Sequence, residues 1–476
     1  MNTGESRRLR ARRAACVKPL CAAIAAACMM LAPTSSIARA PTALGVVVDN
    51  CNDNGTGSLR QAIADAPDGG TVDASALACS VITLSSHLQV NQDDLDIIGP
   101  GSDALKIDAG GVDRVFVHSG LGLLTIDDVT IADGAYHGGV YYGAKGGCLY
   151  SSGSFSLHDV TISGCTLTSE FDPPVNFIRS GGCVSAWGDV SLTDTRVENC
   201  VAHLRDEDSL DGGGVFAADA LVMLRSSITG VRTTSAFTIG VGASSLGSFT
   251  MKYSAIENNI DLALQSQAGG VQANAPIYML GSVIAHNRAQ IGGGAIFSGS
   301  PIDIRNSTIA ENTAVERAGV TISTSPSATI VNTTIAFNHG EGSTAGGLSL
   351  YDSAVLLSST IIANNTAGAA ARDVGASGVS SLSGSHNLIR VSTIATPPDT
   401  ISDDPLLRSL HANGGHTKTL ALSPESAAID GGENPLDLDN DQRGSGFPRV
   451  TGGAADIGAF EYVADFESIF WDGFDA

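Results

Sequence analysis

One short phrase recurs nine times between about Leu123 and Ala363, with changing letters and a fixed plan. Two of its copies are LLTIDDVTI at 123–131 and PIDIRNSTI at 301–309. Successive copies are 25 to 35 residues apart, a spacing typical of solenoids and propellers. The first apolar column through the copies contains Ile126, Leu157, Leu192, Met223, Met251, Met279, Ile304, Ile330 and Leu356. The second contains Ile131, Ile162, Val197, Ile228, Ile256, Ile284, Ile309, Ile335 and Ile361.

The two columns lie five residues apart, and this spacing predicts a bend. Residues five apart on an unbroken strand point to opposite faces, so a corner must shift the phase if both columns are to point inward. The two residues that follow the first column form a polar, turn-tolerant pair in many copies. Examples are Asp127-Asp128, His158-Asp159 and Arg305-Asn306. Each copy is therefore predicted to be one coil of strand, corner, strand and loop.

Two further columns support stacked coils. Small or branched residues follow each corner, at Val129, Val160, Thr195, Ser226, Ser254, Ser282, Ser307, Thr333 and Ser359. Three residues past the second apolar column stand Asn259, Asn287, Asn312, Asn338 and Asn364, with Cys165 and Cys200 in two earlier copies. Stacked asparagine amides can hydrogen-bond along the stacking axis, as they do in cross-β ladders.

These columns predict an all-β fold, a right-handed parallel β-helix over residues 123–379, with strands stacked about 4.8 Å apart. The β-branched content and the absence of a 3.6-residue period exclude a helical-repeat solenoid. The coils also resemble the repeats of polymorphic outer-membrane proteins, which carry a GGA-[ILV] run and an F-x-x-N run. GGGAI at 292–296 matches the first run, and Phe337-Asn338 loosely matches the second.

Residues 1–38 have the pattern of a signal peptide. Six basic residues precede the apolar run LCAAIAAACMMLA at 20–32, which is too short to span a membrane. Cleavage is predicted after Ala38, with Ala40 as the alternative. The chain is therefore predicted to be exported, to the extracellular or outer-membrane surface of a bacterium, with no transmembrane segment in the mature protein.

The charge excludes one class of partner. The full chain has a net charge of −23, and removal of residues 1–40 leaves 19 basic and 48 acidic residues, a net charge of −29. So acidic a surface repels phosphate backbones, which excludes nucleic-acid binding. The mature chain is predicted to be monomeric.

Six cysteines remain after cleavage, an even number that predicts disulfides in an exported chain. Cys51 and Cys79 bracket the N-terminal segment and are predicted to pair. Cys148 with Cys183, and Cys165 with Cys200, are the next predicted pairs, because each would occupy one column in adjacent coils about 4.8 Å apart. A bond between Cys165 and Cys183 is the alternative.

A short helix is predicted between the first two of these cysteines. Ser58 and Gln61 form a capping box, Leu59 and Ile63 share one face, and Pro67 ends the helix. Such a helix before a solenoid is predicted to cover the first coil, within an N-terminal cap and irregular coils at 41–122. This segment resembles the C…GSLR-x-A-I block of exported bacterial β-helix proteins.

Three long insertions, at 133–145, 166–180 and 203–211, are predicted to form one wall of the solenoid. Their aromatic and imidazole side chains, predicted to bind a ligand, are Tyr136, His137, Tyr141, Tyr142, Phe171, Phe177 and His203. Their charged side chains, which would carry any catalysis, are Lys145, Arg179, Arg205, Asp172, Asp206 and Asp211. This mixture predicts a non-catalytic adhesive or glycan-binding protein, with a polysaccharide or cell-surface glycan as partner. The alternative is a polysaccharide lyase or glycoside hydrolase.

The repeats end near 379, and residues 380–463 form a predicted C-terminal module. LHANGGHTKTLALSPESAAIDGG at 410–432, DLDNDQRGSGFPR at 437–449 and DIGAFE at 456–461 resemble the choice-of-anchor Q family. The resemblance implies an exported surface protein, not a reaction. Six charged residues are predicted to pair and to fix a cap over the last coil: Asp430, Asp441, Asp456, Glu461, Arg443 and Arg449.

No cofactor is predicted. Asp437, Asp439 and Asp441 alternate as in a calcium loop, but Gln442 and Pro448 stand where an EF-hand needs Gly and Glu. The tail at 464–476 resembles an IF-x-x-GF[DE] ending, predicted to be either a sorting signal or a terminal strand of the cap.

Overall fold

The computed structural model describes residues 45–138, 145–169, 178–205, 208–235, 237–262, 266–325, 327–342 and 345–464. The predicted signal peptide and residues 465–476 of the predicted tail lie outside these ranges. Within them, the chain forms a parallel β-solenoid of about eleven turns, which confirms the predicted fold class.

Each coil passes through up to four rows of stacked parallel strands, and rows 1 and 2 are joined in one 23-stranded sheet. Leu123–Ala132 and Ser154–Ser163 run through both rows. The other strands of row 1 are Val46–Val47, Gly70–Asp73, Leu95–Ile98, Val190–Thr193, Leu221–Leu224, Phe249–Lys252, Ile277–Leu280, Ile302–Arg305, Ala328–Val331, Ala354–Ser358 and Ser381–Ser385. The other strands of row 2 are Val81–Thr83, Lys106–Asp108, Arg196–Glu198, Ser227–Thr229, Ala255–Glu257, Val283–Ala285, Thr308–Ala310, Thr334–Ala336, Ile361–Ala363 and Leu388–Ile389.

Rows 3 and 4 complete the coils. The parallel strands of row 3 are Ala135–Gly138, Thr166–Ser169, Val201–His203, Arg232–Thr234, Ile260–Asp261, Arg288–Ala289, Thr313–Ala314, His339–Gly340 and Thr366–Ala367, and the last pairs antiparallel with Ala370–Ala371. Row 4 consists of Leu88–Val90, Phe116–His118, Leu149–Ser151, Val184–Ala186, Val215–Ala217, Ala243–Ser245, Val271–Ala273, Ile296–Ser298, Val320–Ser323, Leu348–Tyr351 and Val374–Ser377. A short accessory row lies between them, at Ile178–Ser180, Ser209–Asp211 and Phe237–Ile239.

The predicted corner between the two apolar columns is present. The corner residue that follows the first column has a φ between 44° and 60° in every copy, at Asp128, Asp159, Asp194, Arg225, Tyr253, Gly281, Asn306, Asn332 and, in the last copy, Ser359. One left-handed residue reverses the side to which the following side chains point. Ile126 and Ile131 are both fully buried as a result. Each coil turns a second left-handed corner before row 3, for example at Asn258 and Glu311.

The register confirms the columns in eight of the nine copies and corrects the last. Ile304 pairs with Ile330, as predicted, but Ile330 pairs with Leu357 and not with Leu356, which is 45% exposed. Ile335 likewise pairs with Ile362 and not with Ile361. The strand of this copy begins one residue later, and a slip of one residue moves each side chain to the other face.

A ladder of buried asparagines runs through the later coils. Asn259, Asn287, Asn312 and Asn338 each donate an amide hydrogen to the Oδ1 of the next member, over 2.9–3.0 Å. The last member is Asn365, not the predicted Asn364, which is a left-handed corner residue. Asn365 donates in turn to the Asp373 carboxylate over 3.0 Å, so the ladder ends on a group that only accepts when ionised.

The asparagine ladder should contribute measurably to stability. Asn312→Leu keeps much of the side-chain volume but leaves the two Asn287 donors without their acceptor and removes the amide that donates to the Ile284 and Ala310 carbonyls. Since a buried orphaned polar group costs about 1–3 kcal/mol, we expect the free energy of unfolding to fall by about 2–4 kcal/mol in a urea titration. Thr329→Ala, on the outer face of row 1, is the control and should change it little. An equal effect of both substitutions would contradict a special role for the ladder.

The structure confirms one predicted disulfide and corrects the other two. Cys51 and Cys79 are bonded, with their Cα atoms 6.4 Å apart. Cys148 is bonded to Cys165 over a Cα separation of 5.4 Å, and Cys183 to Cys200 over 5.7 Å, so each bond joins two residues of the same coil, 17 positions apart in the chain. The predicted pairs between stacked positions, and the alternative Cys165–Cys183, are wrong.

The correction has a geometric reason. Cys148 does lie beside Cys183, because its backbone N–H donates to the Cys183 carbonyl. Both side chains are buried, however, and each meets the cysteine 17 residues later across the interior. In a later coil Gly242 and Asn259 have the same separation, and a Cβ on Gly242 would lie 3.2 Å from the Asn259 amide nitrogen. Two early coils thus use a disulfide where later coils use the asparagine ladder.

Peptide mapping without reduction tests this connectivity. We expect a Cys148–Cys165 peptide and a Cys183–Cys200 peptide, and Cys183→Ser should leave a single free thiol, at Cys200. If that variant released a thiol at Cys148, the bonds would join stacked coils after all.

The N-terminal helix is present at Leu59–Asp65, and its N-cap Ser58 accepts a hydrogen bond from the Gln61 backbone. Leu59 and Ile63 are buried in the same core cluster as the first strands of the solenoid. Gln92 donates to the carbonyls of Ile63 and Ala66, over 2.7 Å each, and so ties the C-terminal end of the helix to the coil beneath. The helix therefore covers the first coils, as predicted.

The C-terminal region both closes the last coil and folds back along the solenoid. Ile389 and Ile401 are hydrogen-bonded, and Ile401 donates to Asn387, so residues 391–404 cover the end. Residues 407–462, the lateral module, begin with the hairpin Leu407–His411 and Thr419–Leu422. The predicted ion pairs belong to this lateral module and lie beside the coils, not over the last one.

Contacts of the lateral module extend over six successive coils. They are Lys418 to Glu257, Thr417 to Gly281, Gln442 to Thr308, Glu433 to Asn332, Gly458 to Ser359 and Glu433 to Ser385. Apolar contacts join Leu420 to the outer column of row 2 at Ala310 and Ala336. The lateral module packs on the outer face of row 2 because that face presents small apolar residues. It does not cover the end of the solenoid, because residues 391–404 already do so.

Two buried arginines hold the lateral module together. Arg443 donates to both oxygens of Asp441 and lies between the rings of Phe447 and Phe460, 4.1 and 3.9 Å from their centres. Arg449 donates to Glu461 over 3.1 Å and to the carbonyls of Asp456 and Gly458. Burial nevertheless raises the pKa of Glu461 to about 7 and lowers that of Arg449, because desolvation outweighs the attraction within the pair.

This pKa has a consequence for stability. Glu461 binds a proton more tightly in the folded state, where its pKa is about 7, than in the unfolded state, where its pKa is 4.5. The stabilisation that this protonation gives the folded state is therefore fully present below pH 4.5 and is lost as the pH rises through about 7. We expect the urea midpoint of the lateral module to fall between pH 5 and pH 8 and Glu461→Gln to reduce this dependence. Glu425→Gln, at an exposed position, should leave the dependence unchanged. A midpoint that rises with pH in the wild type would contradict the assignment.

Candidate ligand-binding surface

Five side chains gather beside the row 4 strands into what we call the aromatic–cation cluster: Arg114, Tyr136, Lys145, Tyr150 and Trp187. Tyr136 comes from row 3, Tyr150 from the row 4 strand Leu149–Ser151, and Trp187 follows the next row 4 strand, Val184–Ala186. The stacking of coils therefore brings together residues that are up to 73 positions apart in the chain.

Arg114 packs against two of the aromatic rings of the cluster. Its guanidinium lies 3.4 Å from the centre of the Tyr136 ring and 5.4 Å from that of Tyr150. It donates to the carbonyls of Lys145 and Gly146 over 2.8–3.0 Å. Burial lowers the pKa of Arg114. These bonds fix the backbone of Lys145, so Arg114 has a positioning role.

Lys145 and Trp187 form the accessible part of the cluster. The Lys145 ammonium lies 3.9 Å from the centre of the Trp187 ring and 6.0 Å from that of Tyr150. Burial, with the nearby charge of Arg114, lowers the pKa of Lys145. Trp187 is 48% exposed. The surface thus offers an exposed indole next to a half-buried ammonium.

Two predicted residues, Lys145 and Asp211, lie in one column. Lys145 pairs with Ser180, and Ser180 with Asp211, each in parallel register. The two charged residues are therefore two strand spacings apart, about 10 Å. Asp211 is only 7% exposed, and burial raises its pKa to about 6. The same column thus contains Lys145, whose pKa is lowered, and Asp211, whose pKa is raised.

The two predicted histidines lie elsewhere. His137 and His203 occupy one outer column of row 3, where their Nδ1 atoms lie 2.6 Å from Thr168 Oγ1 and 2.7 Å from Thr234 Oγ1. Tyr136 instead packs against a buried cluster that includes Leu167. Neighbouring side chains on a strand point to opposite faces, so Tyr136 and His137 are separated. The predicted single wall is thus divided between two faces.

The structure describes only some of the remaining predicted residues of the three insertions. Ser169 binds both the Arg205 backbone N–H and the Asp208 carboxylate, which holds the start and end of the third insertion together. The following predicted residues lie outside the described ranges: Tyr141, Tyr142, Phe171, Asp172, Phe177 and Asp206. Arg179 is in a described strand, but its side chain is outside the description.

Sequence reasoning missed Arg114, Tyr150 and Trp187, because it looked for binding residues only in the long insertions. A signal was present. Tyr150 and Trp187 closely follow the glycine-rich returns GGCL at 146 and GGCV at 181 in two successive coils, where Tyr150 pairs with Ser185 and Trp187 stands two positions further along. Aromatic residues at such places belong to one face, since repeats stack in register.

One of the three candidate calcium residues, Asp441, makes contacts within the protein. Both oxygens of Asp441 bind Arg443, and one also accepts the Glu461 backbone N–H. Throughout the described ranges, no group of three or more His, Cys, Asp or Glu side chains could hold a metal ion. Asp441 thus has a structural partner.

Acidic residues also line the first corner in the early coils. Ser102 donates to Asp159 over 3.0 Å, and Arg225 donates to both oxygens of Asp194 over 2.6–2.7 Å. Burial raises the pKa of Asp127 to about 6, and the nearby charge of Asp128 adds to this. Asp128, Asp159 and Asp194 are left-handed corner residues, a conformation that aspartate tolerates. Their positions are explained by the backbone.

Comparison with known proteins gives no assignment, because no protein-family model matches the chain and no curated protein matches it significantly. In the part of the chain that the structure describes, no helix is long and apolar enough to cross a membrane.

Proposed function

We propose that this protein is an exported, surface-associated β-solenoid that binds an extended polysaccharide through the aromatic–cation cluster. The observation that carries the proposal is Trp187, an indole 48% exposed beside Lys145 in the accessible part of the cluster. Aromatic rings offer a flat apolar face with polar edges, which suits the apolar face of a sugar ring. A parallel solenoid can accommodate a polymer, since its binding surface is extended.

Two features support the export and surface parts of the proposal. Three disulfides are typical of proteins that fold in an oxidising compartment. Residues 410–461 resemble the choice-of-anchor Q family, whose members are exported surface proteins. The lateral module that these residues form would then have both a stabilising and an anchoring role.

Trp187→Ala tests the binding role. We expect it to weaken binding of a polysaccharide from a panel of neutral and uronate-containing chains by about tenfold or more, which corresponds to about 1.4 kcal/mol, measured by titration calorimetry. Tyr351→Ala is a matched control, because Tyr351 is 44% exposed and lies near Arg317 at the end of a row 4 strand six coils away. Equal losses in both variants, or no loss in Trp187→Ala, would refute the proposed site.

Lys145 should set the preference for charge. Its ammonium can pair with a carboxylate, which would offset the net charge of −23 that otherwise repels acidic chains. We expect Lys145→Gln to weaken binding of uronate-containing chains more than that of neutral chains.

A second candidate function, lyase activity, is favoured by the column that joins Lys145 to Asp211. A lysine of lowered pKa can accept the proton at C5 of a uronate, and the electrons of that C–H bond form the C4=C5 bond as the C4–O bond breaks. Asp211, with its raised pKa, would give its proton to the departing oxygen. Appearance of unsaturated ends, absent in Lys145→Gln, would favour this candidate over simple binding.

A further inference from the structure

A second polar hollow lies on the outer face of row 3, in later coils than the aromatic–cation cluster. It has a volume of about 200 Å³. One side is a column in which Arg288, Thr313 and His339 stand one strand apart, in parallel register. Val315 and Glu341 form the other side. The hollow is therefore a groove across three coils.

The floor and the hydrogen-bonding groups of the groove suit a small polar ligand. Ala289 and Ala314 form the floor, and both are almost fully buried. The Nδ1 atom of His339 is occupied by Thr366 Oγ1 at 2.6 Å, which leaves Nε2 for a ligand. The volume is below the range of about 300–1,000 Å³ typical of drug-sized ligands, so one small unit fits.

The charges of Arg288 and Glu341 narrow the class of ligand that the groove could bind. Arg288 and Glu341 are both exposed, and neither side chain has an ion pair or a side-chain hydrogen bond with another residue of the described ranges. A guanidinium donates several hydrogen bonds in one plane, and a carboxylate accepts several. Together they carry no net charge. This lining matches a neutral, polyhydroxylated unit, which offers adjacent donors and acceptors.

We propose that this groove is a second carbohydrate subsite, which binds one neutral sugar unit between Arg288 and Glu341. It deepens the proposed glycan-binding function and shares no residue with the aromatic–cation cluster. Arg288 donates to hydroxyl oxygens, Glu341 accepts from hydroxyl hydrogens, and Thr313 and His339 complete the contacts. A polysaccharide that reaches both sites gains affinity by multivalency.

The test uses the full chain with maltohexaose, cellohexaose and xylohexaose, followed by saturation-transfer NMR and titration calorimetry. We expect at least one neutral hexasaccharide to bind, and Arg288→Gln and Glu341→Gln each to weaken that binding about tenfold or more. Arg232→Gln is the matched control, because Arg232 is exposed in the same column of row 3, two coils earlier. It should bind as the wild type does.

Trp187→Ala separates this proposal from the proposed function. Hexasaccharide binding that persists in Trp187→Ala and is lost in Arg288→Gln supports the groove as an independent subsite. Binding lost in Trp187→Ala but retained in Arg288→Gln and Glu341→Gln overturns the groove and leaves the cluster standing. Absence of binding by all three hexasaccharides to the wild type also overturns it.

Discussion

The solenoid depends on one backbone constraint, the left-handed residue at the corner between rows 1 and 2. Without it, Ile304 and Ile309 would point to opposite faces, and one of each pair would be exposed in every coil. With Asn306 at a φ of 44°, both are fully buried. Asparagine, aspartate and glycine tolerate this conformation best, although Arg225 and Tyr253 also adopt it. Packing of two apolar columns outweighs the local cost at those positions.

The position after the second corner is buried, so its polar groups must be satisfied wherever it holds a polar residue. Asn259 and its successors fill it with amides that bond both to one another and to backbone carbonyls, while Cys165 and Cys200 fill it with disulfides. Both arrangements cross-link the chain within the core. The asparagine ladder does so by hydrogen bonds between coils, and each disulfide does so by a covalent bond within one coil. The change from one to the other coincides with the end of the long insertions.

The lateral module determines which faces remain available for ligands. It covers the corner and the outer face of row 2 along six coils, through contacts such as those of Thr417 and Gly458. The aromatic–cation cluster lies beside the early row 4 strands, and the groove beside Arg288 lies on row 3. The two proposed sites therefore occupy faces that the module leaves open.

The sequence by itself determined the repeat, the coil and its corner, because these depend on residues close together in the chain and on a pattern that recurs many times. It also determined the N-terminal helix, whose cap and apolar face are local. Only the tertiary structure decided the disulfide partners, since Cys148 has several neighbours at similar distances and side-chain direction selects among them. The same holds for the place of the lateral module and for the meeting of Arg114, Tyr136 and Trp187. Stacking sets those contacts, and no local pattern records which face a distant segment will cover.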